Sequence, residues 1–307
     1  MRMMSSVAQQ AQRSGAAGPR NTQEASNAHV IERRIGDLMR VPCKLTDKQI
    51  EWIFNYHREH DLRFGEAAVE LGLARREDVL WALSQQFHYP YAIDEKQVNP
   101  ELVIASNPFS DEAEAFRELR SQLMMGVMAP DQPRRALAVV SSNVGDGKTY
   151  LASNLAAAFS QLGGPTLFVD ADMRTPRSQD VFGITLNRGG LSAMLSGRTE
   201  EGLIQRSSQL PSLYVLPCGA IPPNPLELIQ RPAFAQLMQE MTAKFDHVIV
   251  DTPASTHGAD SRAVAAICGA ALVVGRRGTT RMKAINSLVA SIARSQAKLA
   301  GVVMNEY

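Results

Sequence analysis

A glycine-rich stretch from Ser142 to Thr149 carries the residue types best suited to binding phosphate. It follows an apolar run, Ala136 to Val140, that predicts a buried strand, and it leads into a predicted helix from Tyr150 to Leu162. Glycines in such a turn let backbone N–H groups close around a polyphosphate, Lys148 can reach the outer phosphates, and a threonine hydroxyl can ligate Mg²⁺. The pattern G-x-x-x-x-G-K-[ST] is met except at its first position, where Ser142 replaces glycine. The predicted phosphate loop comprises Val144, Gly145, Asp146, Gly147, Lys148, Thr149 and Tyr150.

Carboxylates follow two further apolar runs. The predicted strand from Thr166 to Val169 leads into Asp170 and Asp172, and the run HVIVD ends in Asp251, a Walker B pattern. Carboxylates at the carboxyl ends of parallel strands lie in the crevice where open α/β sheets bind ligands. Two aspartates at this spacing can address one Mg²⁺, or one metal and one proton. The sequence therefore predicts a magnesium site.

Elements that could position these residues alternate along the chain. Further strands are predicted at Leu213 to Leu216, Ala270 to Val274 and Ala300 to Met304, with helical spacing at Leu226 to Phe245 and Arg281 to Ala297. This alternation predicts an α/β fold, a P-loop NTPase with a mainly parallel, doubly wound sheet. With 307 residues and 45% hydrophobic content, the chain has room for about two domains.

Composition excludes several classes of function. A formal net charge of +1 gives no excess of basic residues of the kind that nucleic-acid-binding proteins carry. Three distant cysteines fit neither a disulfide framework nor a zinc site, and nothing completes a ligand set around His57 and His60. No apolar run approaches the roughly 18 residues that span a bilayer, and the first residues lack a signal core. We therefore expect a cytoplasmic protein.

The first 110 residues predict three segments. Residues 1–30 are polar without apolar periodicity and predict disorder, whereas residues 31–95 predict a small helical domain built from two related copies. Residues 96–110 predict a linker. A helix is then expected from Asp111 to Met125, capped by Ser110, with Glu114, Arg117 and Arg120 along one face.

The helical segment resembles the N-terminal domain of type II secretion and pilus assembly ATPases, which in some members binds cyclic di-GMP through paired R-x-G-x-x-x-V-x-x-G…L…Q motifs. The second copy matches at Arg63, Gly65, Val69, Gly72, Leu83 and Gln86. The first departs, with Arg40, Cys43 and His57 at motif positions. A dinucleotide site needs arginines against phosphate and close backbone approach at glycines, and one copy has lost part of its motif. We therefore expect a docking domain with weak or absent cyclic di-GMP binding.

The remainder resembles the bacterial tyrosine kinases (BY-kinases), on VVSSNVGDGKTYLASNLAAAFSQLG, LFVDADMRTP, PPNPLELI and FDHVIVDTP in that order. With its N-terminal domain, it is similar to the exopolysaccharide chain-length determinant autokinases. The resemblance implies that domain 111–307 uses ATP and Mg²⁺, with Lys148, Asp170 and Asp172 in phosphoryl transfer. It implies metal binding at Thr149, Asp170, Asp172 and Asp251, an adenine contact at Asn305, and self-association through Glu114, Arg117 and Arg120. The partner it implies is a membrane polysaccharide co-polymerase on a separate chain, which would hold the kinase peripherally at the inner membrane.

The tyrosines depart from that family pattern. BY-kinases end in a tyrosine cluster, whereas the tyrosines here are scattered at Tyr56, Tyr89, Tyr91, Tyr150, Tyr214 and Tyr307. The acceptor is then Tyr307 or another protein, or the chain is a P-loop ATPase that acts as an assembly switch or scaffold. A partition or septum-positioning ATPase is disfavoured, because Asn143 occupies the position of that group's signature lysine.

Overall fold

The chain forms two compact units, residues 1–87 and 88–307. A computed structural model describes residues 35–41, 43–75, 78–79, 81–82, 98–184, 189–198 and 202–306. Outside the described residues lie the predicted disordered segment 1–30, the motif residues Leu83 and Gln86, and Tyr307.

The first unit is helical, as predicted. Residues 35–40 are helical, and helices α1 (Asp47–His60) and α2 (Phe64–Glu70) follow. A capping box begins α1, since the Thr46 N–H donates to Gln49 Oε1 at 2.9 Å and the Gln49 N–H donates to the Thr46 hydroxyl at 3.4 Å. The core of this unit is built from Met39, Ile53, Phe64, Ala67 and Ala82, among others.

A seven-stranded sheet organises the second unit. Its strands are β1 (Ala136–Ser141), β2 (Thr166–Asp170), β3 (Gln205–Arg206), β4 (Leu213–Leu216), β5 (His247–Asp251), β6 (Gly269–Arg276) and β7 (Lys298–Asn305). The order is β3-β4-β2-β5-β1-β6-β7, and every pair is parallel except β3 with β4. This confirms the predicted doubly wound sheet. Residues of β1 alternate between two cores, Ala138 and Val140 in one and Leu137 and Val139 in the other, so helices cover both faces.

The helices of this unit are α3 (Val103–Ser106), α4 (Asp111–Met125), α5 (Lys148–Ser160), α6 (Ser178–Phe182), α7 (Leu191–Leu195), α8 (Pro225–Ile229), α9 (Pro232–Lys244), α10 (Asp260–Cys268) and α11 (Met282–Ala293), with a short 3₁₀ turn at Ser255–His257. The helix predicted from Leu226 to Phe245 is broken between Ile229 and Pro232. Pro232 explains the break, since proline lacks an N–H and disfavours helical backbone at the preceding Arg231, which is extended.

The segment predicted as a linker over 96–110 is different in the structure. From Val98 onward it packs into the core of the second unit, with Leu102 and Ile104 fully buried. The Ile104 N–H donates to Asn154 Oδ1 at 3.2 Å, and Asn154 Nδ2 donates to the Glu101 carbonyl at 2.7 Å. The unit therefore begins before Asp111. Pro100 and Pro108 suggest a linker when read locally, but the apolar residues between them meet α5, which lies far away in sequence.

Candidate functional site

The middle of the sheet brings the predicted chemical residues together. Strand β5 lies between β2 and β1, and Asp170 and Asp251 are register partners at the carboxyl ends of β2 and β5. The phosphate loop leaves the same end of the neighbouring β1 and runs into α5. Residues far apart in sequence thus share one crevice, as the strand endings predicted.

Two glycines allow the loop to turn into α5. Gly145 and Gly147 have φ of +84° and +94°, values that residues with a Cβ rarely adopt. Asp146 is fully buried and holds the loop from within: Oδ2 accepts from the Asn143 N–H at 2.9 Å, and Oδ1 accepts from the Thr280 hydroxyl at 2.7 Å. The Asp146 carboxylate is therefore engaged by Asn143 within the loop and by Thr280 outside it. The phosphate donors that the loop can offer are its backbone N–H groups.

Helix α5 carries the cation and the hydroxyl of the site in its first turn. Lys148 is 6% exposed, and its Nζ donates to the Asn143 carbonyl at 3.4 Å. The Thr149 hydroxyl donates to Asp251 Oδ2 at 2.6 Å. The Walker B aspartate and the threonine of the loop are thus in direct contact.

Asp170, the last residue of β2, and Asp172 serve different local structures. Asp170 is fully buried, and its carboxylate accepts from the Asp172 N–H at 3.1 Å and the Ser178 N–H at 3.2 Å. Asp172 accepts from the Thr175 N–H and hydroxyl, each at 2.9 Å. These bonds fix the turn after β2 and hold both carboxyl groups at the carboxyl end of that strand.

Burial dominates the electrostatics of the carboxylates. It raises the pKa of Asp251, and the neighbouring Asp170 raises it further, while the Thr149 hydrogen bond and Lys148 oppose the change. Burial likewise raises the pKa of Asp170, with a contribution from Asp172. Three carboxylates facing one lysine leave an excess of negative charge that a cation would balance.

The donor set fits magnesium. Its side-chain donors are carboxylate and hydroxyl oxygens, the ligands that Mg²⁺ prefers, and nucleotide sites usually hold this ion with one or two carboxylates together with phosphate oxygens and water. Among the described residues, no group of three or more His, Cys, Asp and Glu side chains is placed to hold an ion unaided. Thr149 with Asp251 could anchor the ion beside bound phosphates.

Two predicted nucleotide contacts lie at the end of the loop nearest α4 and β7. The Tyr150 hydroxyl donates to Glu112, and its ring packs edge-on against Phe116 with centroids 5.7 Å apart. Asn305 Nδ2 donates to the Asp146 carbonyl at 3.3 Å. Both residues line a cavity of about 550 Å³ between α4, α5 and β7.

The charged residues expected to mediate self-association make contacts within the chain. Arg117 donates to Glu114 at 2.9 Å and to the Pro108 carbonyl. Arg120 donates to the Ala158 carbonyl on α5 at 2.6 Å. The Arg120 bond therefore attaches α4 to α5.

Sequence reasoning missed the residues that support the site from a distance. Thr280 holds Asp146, and Arg174 forms an ion pair at 2.9 Å with the buried Asp260 at the start of α10. The Thr252 hydroxyl donates to the Val139 carbonyl at 2.7 Å and ties β5 to β1. No local pattern marks Thr280 or Asp260, because their partners are distant in sequence.

Known proteins with this arrangement bind nucleotides. The family model described as the CobQ/CobB/MinD/ParA nucleotide binding domain matches residues 137–307. The solved kinase domain of Escherichia coli tyrosine kinase ETK is 31% identical, with a TM-score of 0.61, over 67% of this chain and 79% of that domain. The chain belongs to the bacterial tyrosine kinase branch of this nucleotide-binding family. Nucleotide and magnesium binding follow in general terms from this membership and from the fitted donor set.

Full-length relatives extend the similarity. Tyrosine-protein kinase Wzc of Salmonella typhi is 30% identical over 205 residues, which are 67% of this chain and 28% of Wzc. Tyrosine-protein kinase CpsD of Streptococcus agalactiae is 28% identical over 64% of this chain and 85% of its own length. The chain thus covers about a quarter of Wzc but most of CpsD. Within the described residues, no helix is long and apolar enough to cross a membrane.

Proposed function

We propose that the chain is an ATP-dependent protein tyrosine autokinase that regulates exopolysaccharide polymerisation and export. The observation that carries the proposal is the meeting of Lys148, the Thr149–Asp251 pair and Asp170 at the carboxyl ends of the central strands, in a chain of the bacterial tyrosine kinase family. Phosphoryl transfer is achieved chiefly by positioning and charge neutralisation, so these few groups suffice once an acceptor hydroxyl is in line.

Each residue has a distinct proposed role. Lys148 stabilises negative charge on the transferred phosphoryl group, and the loop N–H groups from Val144 to Thr149 orient the phosphates. Thr149, Asp251 and the Asp170–Asp172 pair form the metal side, with Mg²⁺ supplying charge neutralisation when bound. The raised pKa of Asp170 suits a group that accepts the proton of the incoming tyrosine, with Asp172 supporting it.

The adenine ring is proposed to enter the cavity beside Asn305. The cavity of about 550 Å³ offers apolar surface from Phe116, Leu119 and Met304, and an amide at its edge. Asn305 also donates to the Asp146 carbonyl of the phosphate loop, so the residues that contact the base would be bonded to those that contact the phosphates.

Tyr307 is the proposed acceptor within the chain. Two other tyrosines of this unit are engaged by the fold, since Tyr150 packs on Phe116 and Tyr214 packs edge-on against Phe245 with centroids 5.4 Å apart. The proposed partner is a membrane polysaccharide co-polymerase on a separate chain, which would recruit the kinase from the cytoplasm to the inner membrane.

An assembly switch that hydrolyses ATP without a protein acceptor is the second candidate. The observation in its favour is that the tyrosines of the sequence form no cluster. Such a protein would retain the same phosphate loop and carboxylates, so measurement of the product decides between the two functions.

Phosphotyrosine mass spectrometry on the purified chain with Mg-ATP, with and without the cytoplasmic segments of its co-polymerase, tests the proposal. We expect phosphate on Tyr307 in the wild type and none in Lys148→Met or Tyr307→Phe. ATP turnover without phosphotyrosine on either protein would refute the kinase and support the switch.

Self-association is proposed to involve α4. Its charged residues already make contacts within the chain, so an oligomer would build on a helix held firmly against α5. The triple change of Glu114, Arg117 and Arg120 to alanine should give monomers in light scattering, whereas Glu118→Ala, an exposed change on the same helix, should not.

The N-terminal unit is proposed to be a docking domain with weak or absent cyclic di-GMP binding. Packing alone accounts for one motif glycine, because a Cβ at Gly65 would lie 2.3 Å from Val79 Cγ1. Calorimetry on the full chain should detect no tight dinucleotide complex, and a submicromolar one would contradict this role.

A further inference from the structure

A second polar cavity lies beside the start of the phosphate loop. It has a volume of about 270 Å³ and is bounded by the residue after β1, the 3₁₀ turn, α10 and α11. The lining residues used below are Ser142, Ser255, Arg262, Ser287, Ser291 and Arg294, which we call the serine–arginine cavity. None of the roles proposed above uses it.

The charge of this cavity is entirely positive. Arg262 and Arg294 line it and no carboxylate does. Within the described part of the chain, neither guanidinium makes an ion pair or a side-chain hydrogen bond, whereas Arg174 and Arg277 each pair with a carboxylate. Two unpaired guanidinium groups at one cavity favour an anionic ligand.

Hydroxyl groups complete the lining. Ser287, Ser291 and Arg294 are spaced so that they share one face of α11 and its C-terminal end. The Ser142 hydroxyl is buried without a hydrogen-bond partner, and the Ser255 hydroxyl donates to the Ser142 carbonyl at 3.3 Å. Because serine O–H groups donate to oxyanions, the lining offers neutral donors beside the two cations.

We propose that the serine–arginine cavity binds an oxyanion of the phosphate class at a site distinct from that of the nucleotide's phosphates. Arginine presents paired N–H donors that match phosphate oxygens, and a cavity of this size admits one such group. The ligand is inorganic phosphate or the phosphate monoester of a tyrosine side chain. The inference does not depend on kinase activity, because binding requires no turnover.

Calorimetry on the full chain tests this site. The protein is first saturated with Mg²⁺ and a non-hydrolysable ATP analogue to fill the phosphate loop, and is then titrated with inorganic phosphate or O-phosphotyrosine at constant ionic strength. We expect saturable binding that is weakened at least tenfold in the double variant Arg262→Gln, Arg294→Gln. The control Arg281→Gln, Lys283→Gln removes the same number of charges at the other end of α11, outside the cavity, and should bind like the wild type.

Both arginines are exposed, so their replacement should leave the affinity for the ATP analogue equal in all three proteins. Equal affinity verifies that the variants are folded. Tighter binding of phosphotyrosine identifies the monoester as the ligand, and equal binding identifies free phosphate; either result supports the site. Undiminished binding by the double variant would overturn the proposal. Absence of saturable binding once the analogue is bound would do the same, since any phosphate binding would then belong to the loop.

Discussion

The carboxyl end and the amino end of the parallel sheet both carry charged side chains, but these charges have different surroundings. At the carboxyl end, Lys148, Asp170 and Asp251 are almost completely buried. At the amino end, a cavity of about 390 Å³ is lined by Arg134, Asp246 and His247, among others, and the side chains of the two ionic residues are 64% and 47% exposed.

The difference indicates which end is built for chemistry. Burying a charge costs free energy unless a partner compensates, so a fold keeps unbalanced buried charge where a ligand supplies the compensation. Arg134 and Asp246, 3.9 Å apart in solvent, carry little of that cost. The presence of charged side chains does not distinguish the two ends of the sheet, whereas the burial of those side chains does.

Loss of the buried cation should have the largest effect. Lys148→Met is expected to lower ATP turnover by roughly 100-fold or more, because the site loses the buried cation proposed to stabilise the transferred phosphoryl group. ADP release with Mg-ATP measures it. Lys244→Met, a change at an exposed residue of α9, should leave turnover within twofold. Turnover of Lys148→Met within tenfold of wild type would contradict the assigned role.

Neutralising the buried Walker B carboxylate should stabilise the metal-free protein. Burial raises the pKa of Asp251, so the folded state holds its proton more tightly than the unfolded state, and stability falls as pH rises above the ordinary value of 3.8. Asp251→Asn removes this loss and should raise the Tm at pH 8 by on the order of a few degrees. Calorimetric scans from pH 5 to pH 8 measure the effect.

The matched control for that experiment is Asp246→Asn at the amino end, where the carboxyl is half exposed. It should shift the Tm at pH 8 by less than about 1 °C. Mg-nucleotide should stabilise this control but no longer stabilise Asp251→Asn. Equal pH profiles for both variants would remove the distinction between the two ends of the sheet.

At the amino end, His247 should make stability fall as pH is lowered, which is the opposite of the effect of Asp251, and the change should be smaller. Burial lowers the pKa of His247 from its ordinary 6.5, so the folded state disfavours the proton and stability is lost as pH falls through that value. His247→Gln should therefore lose less Tm between pH 7 and pH 5 than wild type, by no more than about 2 °C. His257→Gln, an exposed change in the same unit, serves as the control.

The smallest effect is expected for an exposed ion pair at the carboxyl end. Arg277 and Glu306 approach to 2.7 Å, but their side chains are 71% and 65% exposed. Arg277→Gln should change the free energy of unfolding by about 0.5 kcal/mol or less in urea titrations. A change several times larger would mean that a charge contributes to the free energy of unfolding because it lies at the carboxyl end of the sheet, and not because it is buried.

Sequence patterns indicated the residues of the candidate site better than the distant residues that hold them in place. The strand endings at Asp170 and Asp251 and the Gly147-Lys148-Thr149 turn are local signals, and the parallel sheet brings them together. The bond from Thr280 to Asp146 joins residues 134 positions apart and has no local signature. Periodicity likewise fails for α6 and α7, since five residues are too few to establish a helical repeat.

Helix α5 gives the phosphate loop an unusually firm anchor. Eleven of its thirteen residues are buried, from Lys148 to Ser160, and small side chains such as Ala156 and Ala157 let neighbouring elements approach closely. In native-state hydrogen exchange, the amides of α5 should exchange only through global unfolding, whereas those of the glycine loop exchange through local opening. The loop can thus remain adaptable to nucleotides while the first turn of α5 keeps its cation and hydroxyl fixed.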